Sequence, residues 1–331
     1  MGSVEMEKTP ESSSSQPASP FVLERLMREA RRQMEDVDFG SEGEFRSSLP
    51  EFLEDGLPAQ RLESLKNIPE ELAQEYAFEA FEAEDEATAL ELAEKALLVD
   101  PECVDALTIK AFITCQDAGE LLTALEHAAT CGEKILGEEF FAEFMGDFWP
   151  MVEARPYMRT IKQLAEVLWN TGRRFDAVAH YENLLDLDPA DHMGNGALLL
   201  GYYLSMGEVQ RSWDLLEECD DDKGAVFNWA WVLLLLMTGD EEAAREALDH
   251  AMEGNPHVAP WLVGMMEEPE EDLPAHIKAG SEDEARLCAQ ILGEAWDIAG
   301  SAQWWLYNVL EEMGLIDPPE GEPGAVPPAS H

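Results

Sequence analysis

The 331 residues hold 21 basic side chains against 70 acidic ones, a formal net charge of −49. Phosphate backbones and anionic membrane surfaces repel such a chain, so neither nucleic acid nor a membrane is expected as a partner. Apolar residues make up 46% and tryptophans number nine, which suits a packed core and is too rich for wholesale disorder.

In chain order, residues 1–20 contain ESSSSQPAS and no apolar period, and read as a disordered tail. Residues 21–34, FVLERLMREARRQM, place Val22, Leu23, Leu26, Met27 and Ala30 on one helical stripe. Arg25, Arg28, Arg31 and Arg32 against Glu24 and Glu29 give this segment about +2, opposite in sign to the chain. Two readings stand: a helix docked on its own acidic body, or one that recruits a partner, with membrane contact a distant third. Breakers at Gly40, Gly43, Pro50, Gly56 and Pro58 make the rest of 21–65 a linker.

From Pro69 to Gly314 the pattern is helix pairs, and no alternating strand pattern of useful length occurs. The longest apolar run, Trp229 to Met237, is nine residues, too short to span a bilayer. Cys103, Cys115, Cys131, Cys219 and Cys288 are odd in number and lack CxxC spacing, so they read as small core residues in a reducing compartment. With no secretory pattern at the start, a cytoplasmic location is expected.

Internal repeats organise this stretch. In YMRTIKQLAEVLWNTGRRFDAVAHYENLLDLDP (Tyr157 to Pro189), a first helix carries Ile161, Leu164, Ala165 and Leu168 on one face. Gly172 breaks the chain, a second helix carries Ala177, Tyr181 and Leu184, and Pro189 ends the unit. Gly172, Gly207 and Gly239 lie 35 and 32 residues apart, close to the tetratricopeptide period of about 34. Gly119 to Gly172 is 53, so an aromatic insertion near 132–156 interrupts the array. Its Phe140, Phe141, Phe144, Phe148 and Trp149 need burial. A final pair opens with a capping box at Ser281 and Glu284. The expected fold is all-α, a right-handed superhelical solenoid of tetratricopeptide-like pairs over 66–314, with a disordered tail at 315–331.

VDPECVDAL (Val99 to Leu107), GEEFFAEFMGDFWPMVEARPYMR (Gly137 to Arg159) and NPHVAPWLVG (Asn255 to Gly264) resemble the repeat family that includes the suppressor of tumorigenicity seven and its soluble bacterial relatives. The resemblance implies an all-α repeat protein that binds something, with no catalytic residue to carry over.

Motifs for chemistry are sparse. No HExxH, P-loop or GxSxG occurs. Asp186, Asp188, Asp191 and His192 in LDLDPADH admit a hard cation but also suit a helix-capping turn, and Asp220 to Asp222 read as a solvated turn. No enzyme activity, cofactor or metal is expected; a cation-dependent hydrolase is the minor alternative.

First helices of such pairs line a concave groove, which projects a peptide-binding site. Arg159, Lys162, Glu166, Trp169 and Asn170 form its basic end, and Trp229, Leu233 and Leu236 its apolar floor. Ala197, Gly201 and Leu204 are small enough for a ligand backbone to approach. The expected function is a protein-interaction scaffold taking an extended peptide with an acidic group; a second reading is an acidic surface that holds basic proteins. The groove is open or filled by residues 21–34.

Overall fold

The computed structural model describes residues 21–34, 65–219, 224–274 and 276–316. The expected tail at 1–20, the linker over 35–64, the acidic turn at 220–222 and the tail from 317 lie outside them.

Among the described residues there are fourteen α-helices and no strand, so the chain is all-α. The first half comprises α1 (Val22–Met34), α2 (Pro69–Phe81), α3 (Glu86–Val99), α4 (Val104–Thr114), α5 (Ala118–Phe144) and α6 (Arg155–Asn170). The second comprises α7 (Arg174–Leu187), α8 (Asn195–Met206), α9 (Val209–Glu218), α10 (Ala225–Thr238), α11 (Glu241–Gly254), α12 (Val258–Leu262), α13 (Glu282–Ile298) and α14 (Gly300–Glu312). Two compact units divide at Arg174/Phe175. The boundary falls within the stretch from Tyr157 to Pro189 that the sequence pattern groups as one helix pair.

In the first unit each helix from α2 to α6 packs on the next, and α2 touches α4 as α4 touches α6. The seam is built from small residues: Ala73, Ala77, Ala93, Ala96 and Ala106 are all 0% exposed, which lets backbones come close. Aspartate caps start α3 and α5, where Asp85 accepts from the Thr88 N–H at 2.9 Å and Asp117 from the Glu120 N–H at 2.9 Å. Thr108 and Thr160 hydroxyls, 2.8 Å apart, stitch α4 to α6 in the core.

Gly137 (φ 75°) breaks α5 where the aromatic insertion begins. Phe148 is the fully buried ring of that block, with Phe140 and Phe141 at 5.4 and 4.9 Å from it and Phe141 edge-on to Tyr157 at 5.6 Å. The other rings, Phe140, Phe141 and Phe144 at the end of α5 and Trp149 after it, are half-buried.

In the second unit α10 is central, touching α8, α9, α11, α13 and α14. Gly207 and Gly239 end helices with positive φ, and the residue after each returns an N–H to a carbonyl five back: Glu208 to Tyr203 and Asp240 to Leu235. Arg173 after Gly172 does the same to Leu168 in the first unit. Gly119 does not: it lies inside the first turn of α5, so that anchor is a helix start. The capping box is half realised. Ser281 Oγ accepts from the Glu284 N–H at 3.2 Å, but the Glu284 carboxylate takes the Gly280 N–H at 2.7 Å and Asn255 Nδ2 at 2.9 Å.

Candidate functional site

The feature that stands apart from the helix array is the seat of α1 on the first unit. Its docked face takes in only part of the apolar stripe: Ala30 is 2% exposed. Glu24, Arg25, Arg28 and Glu29 are buried to 4–8% exposure, whereas Leu23 is 54% exposed and Val22, Leu26 and Met27 are half-buried. Residues 21, 24, 25 and 28 share one side of a helix by the three- and four-residue spacing. Charge pairing, together with Phe21 and Ala30, sets the side that faces the body.

Phe21 enters an aromatic slot, stacked on Phe78 at 5.0 Å and on Phe81 at 5.0 Å. One turn on, Arg25 donates Nε to Glu75 at 2.8 Å and both Nη atoms to Glu82, at 2.6 and 3.0 Å. Its guanidinium also lies 5.2 Å from the Phe78 ring centre. Burial works against the charge on Arg25, but Glu82 and Glu75 outweigh it and its pKa is raised. Glu79, on the same side of α2, has its pKa raised by burial and by Glu75 and Glu82, with Arg25 pulling it back. The carboxylates of α2 thus form a crowded acidic rail that a cation relieves.

On its other flank α1 offers a carboxylate to arginines of α6. Glu24 receives Arg159 Nη1 and Nη2 at 2.8 and 3.2 Å, with Arg28 Nε at 3.7 Å and Arg155 Nη1 at 3.9 Å. Arg159 also donates Nε and Nη2 to Asp105 at 3.1 and 2.5 Å. Asp105, at 0% exposure, takes a further bond from Gln74 Nε2 at 2.7 Å. Burial would lower the Arg159 pKa; Asp105 and Glu24 more than offset it, and the shift is upward. Toward the end of α1, Arg28 bonds Glu71 at 2.8 Å and the Val152 carbonyl at 3.0 Å, and Arg31 reaches Glu153 at 2.5 Å. A cleft of roughly 150 Å³ remains beside Arg28, walled by apolar Ile135, Leu136 and Tyr157 and by acidic Glu70, Asp100 and Glu153.

This arrangement revises the projected groove. Arg159 is no open basic end, because α1 and Asp105 consume its donors. Lys162, Glu166 and Trp169 are half-buried farther along α6, Asn170 is exposed, and the Arg174 guanidinium lies 4.6 Å from the Trp169 ring. Trp229 and Leu233 are 0% exposed and belong to the core of the second unit, with Leu236 half-buried; they form no open floor, since α10 is enclosed by its neighbours. Gly201 does permit a close approach, but to the chain itself: a Cβ there would stand 2.5 Å from the Ile291 carbonyl of α13.

The acidic turn is likewise engaged. Asp188 accepts from His192 Nδ1 at 2.8 Å and from its N–H at 2.9 Å, while Asp191 caps α8 through the Asn195 and Gly196 N–H groups at 2.6 and 2.8 Å. Cys103, Cys131 and Cys288 are buried as expected of small core residues, but Cys115 and Cys219 are half-buried.

Sequence reasoning missed Glu71, Glu75, Glu82, Phe78, Phe81 and Asp105. A signal was there: Glu71, Glu75, Glu79 and Glu82 recur at helical spacing beside two phenylalanines, complementary to Phe21, Arg25 and Arg28. Among the described residues no helix is long and apolar enough to cross a membrane. No protein-family model and no curated protein matches the chain.

Proposed function

We propose that this chain is a non-enzymatic protein-interaction scaffold of tetratricopeptide type, related to the suppressor of tumorigenicity seven group. One observation carries the reading: a face of the first unit, made from α2, α4 and α6, holds a separate amphipathic helix through an aromatic slot and oriented ion pairs. Binding another helix is what scaffolds of this kind do. Contacts of α2 with α4 and of α4 with α6 support the repeat stacking, since first helices of successive pairs meet in that manner.

A second reading keeps some support. Glu267, Glu268, Glu270, Glu271 and Asp272 form an exposed acidic run, and long-range attraction would draw basic proteins to it. Affinity capture from native extract at low and high salt, with mass spectrometry, separates the two. Partners that survive high salt and are lost on Glu75→Lys/Glu82→Lys support the helix-receiving face. Partners that wash off with salt, and are indifferent to that substitution, support the acidic surface.

A further inference from the structure

From the way α1 is held, we infer that it is an exchangeable occupant, and that its seat recognises a partner's basic amphipathic helix carrying a phenylalanine followed four and seven positions later by arginines. This deepens the scaffold reading and rests on it. The spacing is that of Phe21, Arg25 and Arg28, which meet the Phe78/Phe81 slot, the Glu75/Glu82 pair and Glu71 in turn.

Three features make α1 a ligand rather than a permanent core helix. Apart from Ala30 its buried groups are charged, and buried ion pairs fix orientation and specificity while contributing little net stability, because desolvation offsets their attraction. Its sign is opposite to that of the chain, about +2 against −49, and the rail it covers is acidic. It also leaves the seat incompletely filled: the cleft of roughly 150 Å³ beside Arg28, lined by Ile135, Leu136 and Tyr157 and also by Glu70, Asp100 and Glu153, would admit a side chain with an apolar stem and a basic end that α1 does not supply. A partner helix with the same charges and a long basic residue there would compete well. Covalent connection presents α1 to its own seat at an effective concentration that reaches about millimolar, so the competitor meets an occupied site.

The test titrates a fluorescent peptide of residues 21–34 into the full-length protein, read by anisotropy. Compared are the wild type, an Arg25→Glu/Arg28→Glu variant that repels its own α1, and Phe21→Ala, which removes the anchor and spares the ion pairs. The variants should bind the peptide at least about tenfold more tightly than the wild type, as release of a self-occupied site requires. A peptide carrying Arg25→Glu and Arg28→Glu should bind none of them. Circular dichroism and the thermal transition establish folding, and Phe21→Ala keeps the test open if the double variant unfolds. Equal peptide affinity for wild type and folded variants, or no binding, overturns the proposal and makes α1 a fixed part of the unit. Gain of binding through a swapped dimer, seen by light scattering, also overturns it, since the occupant would then be a second copy. Salt-resistant partners in the extract alongside a failed peptide titration would leave the scaffold reading standing without the exchange.

Discussion

Replacing Arg159 by Met tests the central ion network. Asp105 is 0% exposed and accepts three bonds, two of them from Arg159 at 3.1 and 2.5 Å and one from Gln74 at 2.7 Å. Truncation leaves a buried carboxylate with one neutral donor, a change that costs about 3–5 kcal/mol in such settings. Glu24 suffers less, because Arg28 and Arg155 remain 3.7 and 3.9 Å away. At about 2–4 °C per kcal/mol, the transition should fall by roughly 6–20 °C. Asp105→Asn/Arg159→Met removes both charges and leaves an amide that can still pair with Gln74, so it should lose no more than about 2 kcal/mol, a coupling of at least about 1 kcal/mol. Urea denaturation gives the overall change, and native-state hydrogen exchange of α4 amides reads the first unit separately. A single substitution costing less than about 1 kcal/mol, or a double variant equal to the sum of its singles, would refute the idea that Arg159 neutralises a buried carboxylate.

Other consequences concern packing, protonation and thiols. Gly201→Ala forces a Cβ to within 2.5 Å of the Ile291 carbonyl and should destabilise by about 1–3 kcal/mol, whereas Gly293→Ala, with nothing within 4 Å, should be neutral or stabilise by up to about 1 kcal/mol in thermal melts. Burial raises the Glu166 pKa from the ordinary 4.5, with Lys162 partly opposing it. The folded state therefore gains from protonation below 4.5 and loses that gain as pH rises through the raised value. Glu166→Gln should accordingly raise the melting temperature at neutral pH and give no such rise on the acid side; an equal effect at both would contradict this. Cys103, whose thiol burial pushes up to about 12, and Cys288, raised well above 9.0 by full burial, should resist alkylation in the native protein. Cys115 and Cys219 are half-buried and should label first in a mass-spectrometric time course.

The helices were legible because they depend on local order. Glycines at 172, 207 and 239 end helices with positive φ, and Ala73, Ala77, Ala93, Ala96 and Ala106 lie in the helix seam of the first unit, as residue size implies. The sign inversion of residues 21–34 also marked a helix of its own, with docking on the chain's acidic body or recruitment of a partner both open. What the sequence left open was which side of α1 would face that body. The apolar stripe is a local property, but the docked side is set by partners 43 to 135 residues away, Glu71, Glu75, Glu82 and Arg159, whose convergence exists only after α2 and α6 pack. For the same reason Arg159 read as a free cation and Trp229 as a groove residue. A side chain's solvent exposure is a property of the elements packed around it, and one helix's periodicity carries no record of them.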